Sequence, residues 1–396
     1  MRIAFAAHSG EQVGGVEAYV RRVVPALVAA GHDVSCWLER GEANGEPLFR
    51  PVDDVTCFKA GDQPQAALDA LQRWKPDVLY SQGIASPSRE QELLNVAPSV
   101  VFCHSYYGTC ISGSKMQQRP TQQCCTREFG VGCLLQYYPR RCGGRSPLTM
   151  LRQYRLQQDR LELLASYDRL VVASRHMADE YAKHGLQDKV RVVPLPIESV
   201  HPSHASAEDD GTWRLLYLGR LEEIKGAHIA VESAAIVAAS SERPVHLQVS
   251  GNGSLRGRLQ QQADILMARH SNLTITITGW LREEQCSDAV SWAHVLLVPS
   301  CWPEPFGMVG IEAAQRGVPT VAFAVGGIPE WLSDGVNGRL VPGDPPDSNN
   351  FAEGITACLA DSQTLNRMRA GSRIAARGFG LDAHVRQLET VLAEVR

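Results

Sequence analysis

The stretch CWPEPFGMVGIEAA, residues 301–314, contains two glutamates, Glu304 between two prolines and Glu312 within a helical pattern. It follows the apolar run HVLLVPS (294–300), which predicts a buried strand, and its helical pattern runs on to Gly317, a helix stop. Strand, loop and helix in that order are typical of an α/β protein. The loop carrying Glu304 should therefore lie just beyond the carboxyl end of a strand, where open α/β sheets bind ligands.

The same alternation of apolar strands and helical segments runs through the whole chain. Runs that are apolar on both faces predict parallel strands covered by helices on both sides of the sheet. They lie at 2–7, 33–38, 77–81, 99–103, 169–174 and 190–195, and again at 213–218, 245–250, 273–278, 294–299, 319–325 and 338–342. The pattern predicts an α/β protein with two Rossmann-like doubly wound domains facing a cleft.

The break between the two halves is a polar, proline-containing segment without periodicity, ESVHPSHASAEDDGT. The last segment, LDAHVRQLETVLAEVR, is an amphipathic helix that either covers its own domain or crosses to the other. The predicted organisation is an N-terminal domain at 1–197 with a cysteine-rich basic insert at about 105–145, a linker at 198–212, a second domain at 213–378 and a C-terminal helix at 379–396.

Composition excludes several functional classes. The chain has 396 residues, of which 44% are hydrophobic and 21% charged, and no apolar run approaches the roughly 18 residues of a membrane span. A net charge of −4 argues against generic nucleic-acid binding. The N-terminus, MRIAFAAHSG, reads as a first strand rather than a signal peptide, so we expect a cytoplasmic protein.

The charge is unevenly distributed. Between His104 and Arg160 there are nine basic and two acidic residues, which leaves −11 for the rest of the chain. This basic segment also contains aromatic residues, as in LLQYYPRR (134–141). It predicts either a local anionic partner, such as a phosphorylated substrate or the inner face of a membrane contacted peripherally, or a solvated helix face.

Six of the eleven cysteines fall between Cys103 and Cys142. Their spacings contain no CxxC pair, so three interpretations stay open: a structural zinc or iron–sulfur site, buried reduced thiols, or a redox-sensitive disulfide. A metal site would use four of these thiols, Cys110, Cys124 or Cys125, Cys133 and Cys142.

Two glycine turns follow predicted strands. Gly14 and Gly15 directly precede a helix, where backbone N–H groups can approach an anion, although a plain glycine turn is the alternative. Gly251 and Asn252 form part of SGNGS, a turn after the second strand of the second half. Neither turn is a GxGxxG fingerprint, which argues against a Rossmann-type oxidoreductase.

Two cations flank the turn after the first strand of the second half. In LGRLEEIKGAHIA, Arg220 and Lys225 lie next to a helix that begins near Gly226. Such a pair suits a diphosphate and could replace a metal ion. The alternative is two surface charges partly neutralised by Glu222 and Glu223.

The two glutamates of the opening stretch suit hydroxyl recognition. A buried carboxylate needs hydrogen-bond donors, and one carboxylate can accept two O–H bonds from a vicinal diol. Phosphate oxygens fit the neighbouring helix N-terminus. Carboxylates for hydroxyls and cations for phosphates together predict a nucleotide sugar, although Glu304 could instead cap a helix and Glu312 could be a solvated helix residue.

With these motifs the chain resembles the retaining glycosyltransferases of the GT-B fold, family 4. The resemblance runs from GGVEAYV (14–20) through LGRLEEIKG (218–226), SGNGSL (250–255) and TGWLREEQ (278–285) to a long block at 299–344. That block combines E-x7-E, at Glu304 and Glu312, with GG-x-PE at 326–330.

The resemblance implies a role for each matching residue. Glu304 would contact hydroxyls of the donor sugar and Glu312 the ribose, while Arg220 and Lys225 would bind the diphosphate. His104, after the fourth predicted strand, would touch the donor sugar. The remaining residues implied in donor binding are Gly14, Gly15, Gly251, Asn252, Trp280, Phe306, Gly307 and Met308.

The resemblance also implies the reaction. A hexosyl group would pass from a UDP-sugar or GDP-sugar to a glycan, lipid-linked or small-molecule acceptor, with retention of anomeric configuration and without a required metal or cofactor. The N-terminal domain would bind the acceptor, and the insert would shape that site. A non-catalytic nucleotide-sugar binder and a phosphorylase or epimerase of the same fold remain alternatives.

Overall fold

The structure is a computed structural model that describes residues 1–11, 14–41, 47–49, 55–198 and 210–396. Its contacts divide the chain into two compact units. The first unit comprises Met1–Lys115, Thr126–Glu198 and Gly380–Arg396, and the second comprises Met116–Cys125 and Ser199–Phe379. Most of the linker predicted at 198–212 lies outside the described residues.

Strands are numbered in chain order. They span Arg2–Ser9 (β1), Asp33–Arg40 (β2), Thr56–Lys59 (β3), Val78–Ser81 (β4), Ser99–Phe102 (β5), Met116–Gln117 (β6), Gln123–Cys124 (β7), Arg169–Val172 (β8), Val190–Val192 (β9), Trp213–Leu218 (β10), Val245–Ser250 (β11), Leu273–Gly279 (β12), Val295–Val298 (β13), Thr320–Phe323 (β14) and Gly338–Val341 (β15).

Helices are numbered in the same way. They span Gly15–Ala29 (α1), Pro64–Trp74 (α2), Pro87–Leu93 (α3), Gly132–Gln136 (α4), Pro147–Ser166 (α5), Arg175–Ala182 (α6), Ala227–Ser240 (α7), Arg256–Arg269 (α8), Glu283–Trp292 (α9), Met308–Gln315 (α10), Ser348–Cys358 (α11), Ser362–Ala376 (α12) and Leu381–Ala393 (α13). Within the described part of the chain, none of them is long and apolar enough to span a bilayer.

The first unit contains a seven-stranded parallel sheet in the order β3-β2-β1-β4-β5-β8-β9. Its central strands are buried on both faces, and all four residues of β4 and of β5 are buried. This burial is why both sequences, VLYS and SVVF, are mostly apolar rather than alternating. The strand order reverses between β1 and β4, so the loops after these two strands meet at a ligand-binding position of the fold.

The second unit contains a six-stranded parallel sheet in the order β12-β11-β10-β13-β14-β15. Here the order reverses between β10 and β13, which pair directly through Leu215 and Val295. The loops after β10 and β13 therefore lie side by side at the carboxyl edge of the sheet.

These sheets confirm the predicted α/β class with two Rossmann-like domains. The twelve predicted apolar runs all contain a strand. β3 was not predicted, because this edge strand has two half-buried residues between two exposed ones and no long apolar run. The short antiparallel pair β6–β7 lies within the cysteine-rich insert and was also missed.

The C-terminal helix α13 belongs to the first unit. Its buried His384 bonds to Tyr19 of α1, with Nε2 2.9 Å from the hydroxyl oxygen. Its Glu389 lies 2.7 Å from Nε2 of His32, and its last turn is followed by Glu394, which pairs with Arg169 and Arg191.

The insert is divided between the two units at Lys115 and Cys125. The part in the first unit has a small core in which Ile111, Phe129 and Tyr137 are buried. Lys115 is fully buried, forms an ion pair with Glu180 of α6 and donates to the carbonyl of Arg127 at 2.6 Å. A buried charge needs partners of this kind, so Lys115 anchors the insert to the first sheet's helices.

Candidate functional site

The best-defined polar site in the second unit lies where the loops after β10 and β13 meet. The first loop ends in a 3-10 turn, Glu223–Lys225, and the second carries Glu304. Nζ of Lys225 lies 2.6 Å from Oε1 of Glu304, and the hydroxyl of Ser300 donates to the same oxygen at 2.6 Å. Two predicted donor-binding residues, 79 positions apart, are thus in direct contact.

The carboxylate of Glu304 is held in its charged form. Glu304 is only 7% exposed, and burial by itself opposes ionisation of its side chain. The charge of Lys225 and the hydrogen bonds from Lys225 and Ser300 outweigh that burial, so the pKa of Glu304 lies below its usual range. Glu304 is therefore an acceptor for hydroxyl groups throughout the neutral pH range.

The turn of Lys225 is fixed against the loop after β13 by backbone contacts. The N–H groups of Cys301 and Trp302 both donate to the carbonyl of Ile224, at 2.9 and 3.3 Å. Gly226 has a φ of +71°, and a Cβ there would lie 1.8 Å from the carbonyl oxygen of Pro299. Only glycine permits this approach, which explains the glycine after Lys225.

Lys225 has a second contact besides Glu304. Its Nζ lies 4.8 Å from the centre of the Trp302 ring, within the range of a cation–π interaction. The Lys225 side chain is still 20% exposed. Lys225 is thus held by two partners while part of its charge remains open to solvent.

The other side of the Glu304 loop rests on the glycine pair at 326–327. Gly327 N–H donates to the carbonyl of Glu304 at 2.7 Å. Gly326 has a φ of +59°, and a Cβ there would lie 2.2 Å from the same carbonyl oxygen. The GG of the GG-x-PE motif therefore acts by letting two backbone segments approach and fix Glu304.

Helix α10 begins directly after this loop. Gly307 is its N-cap, in a left-handed conformation with φ +89°, and Met308 is its first residue. The indole of buried Trp331 donates to the carbonyl of Phe306 at 2.7 Å. The helix N-terminus, where N–H groups and the helix dipole favour anions, is thereby fixed close in sequence to Glu304.

Glu312 lies on the same helix, one turn after its N-terminus, and is half-buried. Its carbonyl accepts a hydrogen bond from Nη1 of Arg316 at 3.2 Å. The structure therefore places Glu304 and Glu312 at opposite ends of one loop and helix turn, with Phe306, Gly307 and Met308 between them.

The loop after β10 carries Arg220, whose side chain is exposed. The hydroxyl of Tyr217 donates to the carbonyl of Arg220 at 2.8 Å, which fixes the backbone at this position. Hydrogen bonds from Ser254, with a smaller effect of the charge of Arg220, lower the pKa of Glu222, so this glutamate partly neutralises Arg220 as the sequence allowed. Glu222 accepts from the N–H and hydroxyl of Ser254, and Glu223 pairs with Arg258.

The SGNGS turn lies against the same loop. The carbonyl of Asn252 accepts from Leu221 N–H at 2.9 Å, and a Cβ on Gly251 would meet the carbonyl of Gly219. Gly251 and Asn252 therefore support the backbone next to Arg220. Trp280, which follows β12, is 75% exposed. Among the described residues, no hydrogen bond or ring contact joins it to this cluster.

In the first unit, Gly14 and Gly15 begin α1 after β1, Gly14 being the N-cap. His104, after β5, is half-buried, stacks on Phe102 at 4.4 Å between ring centres, and has Nε2 2.9 Å from Oε1 of Gln82. Burial, with a smaller effect of His384, lowers the pKa of His104 to about 3. The ring is therefore neutral at physiological pH, with Nε2–H donating to Gln82 and Nδ1 left as an acceptor.

A chain of buried hydrogen bonds lies behind His104. Nδ1–H of His384 donates to the carbonyl of Pro194 at 2.7 Å, so Nε2 of His384 accepts from the hydroxyl of Tyr19. The Tyr19 oxygen then accepts from Tyr80 at 2.7 Å. The Tyr19 ring also contacts His104 edge-on, 5.3 Å between ring centres.

All eleven cysteines are among the described residues, and none of them forms a disulfide. No group of three or more His, Cys, Asp or Glu side chains among the described residues could hold a metal ion, and Cys110, Cys124, Cys133 and Cys142 are all described. The zinc or iron–sulfur site that the sequence left open therefore has no support. Cys124 instead lies beside the Glu304 loop, its Sγ 3.9 Å from the carbonyl of Cys301.

The sequence did not reveal the residues that orient these side chains. Ser300 and Trp331 act through contacts that only the folded sheet creates, and His384 and Gln82 act through contacts across the first unit. Gly326 belongs to the GG-x-PE motif, but its contact with Glu304 was not predicted. One signal was present: Ser300 ends a predicted strand, the position from which side chains reach the carboxyl edge of a sheet.

The fold is shared with solved glycosyltransferase structures. An Anabaena protein, HepE, crystallised with UDP, has a TM-score of 0.70 at 16% identity, with both chains covered over their full length. Sucrose-phosphate synthase from Thermosynechococcus elongatus has a TM-score of 0.68 at 18% identity, covering 99% of this chain and 98% of that one. These likenesses show the fold alone, which is the GT-B fold.

Two family profiles match the sequence. Residues 13–199 match Glycosyltransferase Family 4, and residues 202–374 match Glycosyl transferases group 1. The chain belongs to the family 4 glycosyltransferases, as the resemblance predicted.

Curated relatives include D-inositol 3-phosphate glycosyltransferases. One from Catenulispora acidiphila is 31% identical over 250 residues, which cover 58% of this chain and 58% of that protein's length. Another from Arthrobacter is 25% identical over 394 residues, covering 93% of this chain and 87% of that protein.

Proposed function

We propose that this protein is a retaining glycosyltransferase that moves a hexosyl group from a nucleoside-diphosphate sugar to an acceptor hydroxyl. The observation that carries the proposal is the Lys225–Glu304 pair at the carboxyl edge of the second sheet, next to the N-terminus of α10. This arrangement places a hydroxyl acceptor, a cation and a helix N-terminus together, which are the groups that a sugar diphosphate requires.

The donor would be recognised by the second unit. Glu304 accepts hydroxyls of the sugar, Glu312 those of the ribose, and Arg220 with Lys225 and the amides at 306–308 neutralise the diphosphate. Both UDP-sugars and GDP-sugars fit these groups. A UDP-sugar is the first candidate, because the Anabaena protein of the same fold was crystallised with UDP-glucose.

In the reaction, the bond between the anomeric carbon and the phosphate oxygen breaks, and its electron pair goes to the phosphate. The acceptor oxygen forms the new bond on the same face, and its proton passes to the leaving phosphate oxygen. Lys225, Arg220 and the α10 N-terminus stabilise the charge on that phosphate. In this proposal these cations supply the charge that a metal ion supplies elsewhere, so no metal or cofactor is required.

The first unit would complete the donor site and bind the acceptor. His104 is neutral and keeps Nδ1 as an acceptor for a sugar hydroxyl, while Gly14 and Gly15 allow close approach at the start of α1. The acceptor is a glycan, a lipid-linked or a small molecule. A phosphorylated polyol is a reasonable first compound, because curated relatives are named as D-inositol 3-phosphate glycosyltransferases and residues 104–160 are basic.

The test is titration calorimetry with UDP, GDP and ADP, followed by NMR of the product from the matching α-linked donor sugar. We expect one nucleoside diphosphate to bind and an α-linked product to form. Glu304→Gln should reduce turnover by at least about a hundredfold, as expected from loss of a key polar contact in the transition state. Arg367→Gln, at an exposed position on α12, should behave as wild type.

Two results would overturn the proposal. A β-linked product from an α-linked donor would exclude retention. Full turnover in Glu304→Gln would exclude the assigned role of this carboxylate.

A further inference from the structure

The outer surface of α4 and the start of α5 exposes an unusual amount of apolar side chain. Of the twelve exposed large hydrophobic residues among those described, five lie within 21 residues of sequence, which is far more than an even spread would place there. They are Val131, Leu135 and Tyr138 at 69%, 74% and 45% exposure, and Leu148 and Leu151 at 79% and 42%. Isolated exposed apolar residues are ordinary, but a cluster marks an interaction surface.

Helices α4 and α5 each have one face packed against the core of the insert and another face exposed to solvent. Cys133 and Leu134 of α4, and Met150 and Tyr154 of α5, pack around buried Tyr137. Val131, Leu135 and Tyr138 recur at helical spacing on the other face, which is open to solvent. The inner face therefore anchors α4 and holds the outer face in place.

The charge on this surface has one sign. From Phe129 to Gln158 the sequence contains five arginines, no lysine and no acidic residue. Arg141, Arg145, Arg152 and Arg155 are all exposed. Exposed Glu128 and Asp159 lie at the two ends of this segment. Between them, an exposed apolar face accompanied by five arginines and no carboxylate is complementary to a negatively charged, partly apolar partner.

We propose that this surface, formed by residues 131–155, docks on a membrane whose lipids are anionic. Leucine and tyrosine side chains enter the region between headgroups and acyl chains, and the arginines contact lipid phosphates. The proposal goes beyond the transfer reaction, because docking needs neither donor nor acceptor. It adds a location for the chemistry: the unit predicted to bind the acceptor would lie against the lipid.

The test is sedimentation with vesicles of phosphatidylcholine containing 30% phosphatidylglycerol, compared with phosphatidylcholine alone. We expect the protein to bind the anionic vesicles and to bind the neutral vesicles about tenfold or more weakly. Added salt should weaken binding to the anionic vesicles. Leu135→Ser with Leu148→Ser should weaken binding about tenfold or more, because both side chains are more than 70% exposed and would enter the bilayer. Arg141→Gln with Arg145→Gln should weaken binding by about the same factor.

Matched controls lie on α12 and directly after it, in the second unit. Ile374→Ser removes a side chain that is 66% exposed, and Arg367→Gln with Arg377→Gln removes two exposed arginines. Neither should change vesicle binding, and circular dichroism should show all variants folded. If the Leu135 and Leu148 variants bind vesicles as wild type, the proposal is wrong. The proposal is also wrong if the wild type does not bind anionic vesicles and instead forms dimers that these substitutions abolish.

Discussion

Replacing Lys225 by alanine should destabilise the second unit in a pH-dependent way. The substitution leaves the carboxylate of Glu304, only 7% exposed, without its cation. Breaking a buried ion pair by removing one partner costs about 3 kcal/mol or more, and Lys225 is itself 20% exposed, so we expect about 3 kcal/mol. For a unit of this size that lowers Tm by about 10 °C.

The pH dependence follows from the direction of the pKa of Glu304. In the wild type this pKa is lowered, so the charged carboxylate contributes stability above its unfolded pKa, and that contribution is lost as pH falls through the folded pKa. Without Lys225, burial raises the pKa of Glu304 above its unfolded value. The variant then loses stability as pH rises from the unfolded pKa of Glu304 to the raised pKa of this group in the folded variant. The loss of unfolding free energy relative to wild type should therefore be larger at pH 8 than at pH 5.

The assay is differential scanning calorimetry at pH 5, 6, 7 and 8 on a double-mutant cycle. Glu304→Gln alone should cost only about 1 kcal/mol, because glutamine keeps a partner in Ser300. The double variant should show a coupling of roughly 2 kcal/mol. The control is Arg258→Ala, which breaks an exposed pair with Glu223 and should cost less than about 0.5 kcal/mol. Equal losses at pH 5 and pH 8, or no coupling, would refute the pairing of Lys225 with Glu304.

Two further perturbations test the surrounding structure. Gly326→Ala should lower the free energy of unfolding by roughly 2 kcal/mol and weaken nucleotide binding, because its Cβ would lie 2.2 Å from the Glu304 carbonyl oxygen. The control is Gly257→Ala on α8, where a Cβ meets open space, and calorimetry should show this variant to be neutral or stabilised. Burial lowers the pKa of His384 to about 4, and the hydrogen bond to Pro194 opposes this shift. The neutral form of His384 therefore contributes roughly 3 kcal/mol of stability, which is lost as pH falls from 6.5 towards 4. His384→Gln should therefore flatten the fall of Tm between pH 6.5 and 4.5, and an unchanged slope would contradict this account.

The fold was predictable because its strands are buried on both faces. β4, β5, β13 and β14 are buried at every position, so apolar residues dominate their sequences, which are distinct from the helices between them. β3 lacked that signal because it lies at a sheet edge. Fold class was thus readable from local pattern alone.

The sequence indicated residues for a donor site but not the contacts between them. The E-x7-E spacing indicated Glu304 and Glu312, and the turn after the first strand of the second half indicated Arg220 and Lys225. That Lys225 bonds to Glu304 depends on β10 and β13 being neighbours at the point where strand order reverses. No local pattern reports strand order, so the bonds of Glu222 to Ser254 and of Glu223 to Arg258 were also not predicted.

The insert shows a second limit of sequence reasoning. Residues 105–145 read as one segment, yet the contacts assign Met116–Cys125 to the second unit and the flanking residues to the first. Cys124 lies beside Cys301, in the loop of Glu304, rather than in a cysteine cluster. Cysteine spacing alone could not separate a metal site from packing of this kind.

The membership of α13 in the first unit has a consequence for biosynthesis. His384 completes the hydrogen bonds behind Tyr19, and Glu394 pairs with arginines from two strands of the first sheet. A ribosome makes these residues only after every residue of the second unit has been synthesised. The contacts of α13 with Tyr19 of α1 and with the arginines of β8 and β9 can form only then, so the first unit, most of which is made first, is completed only after the second unit has been made.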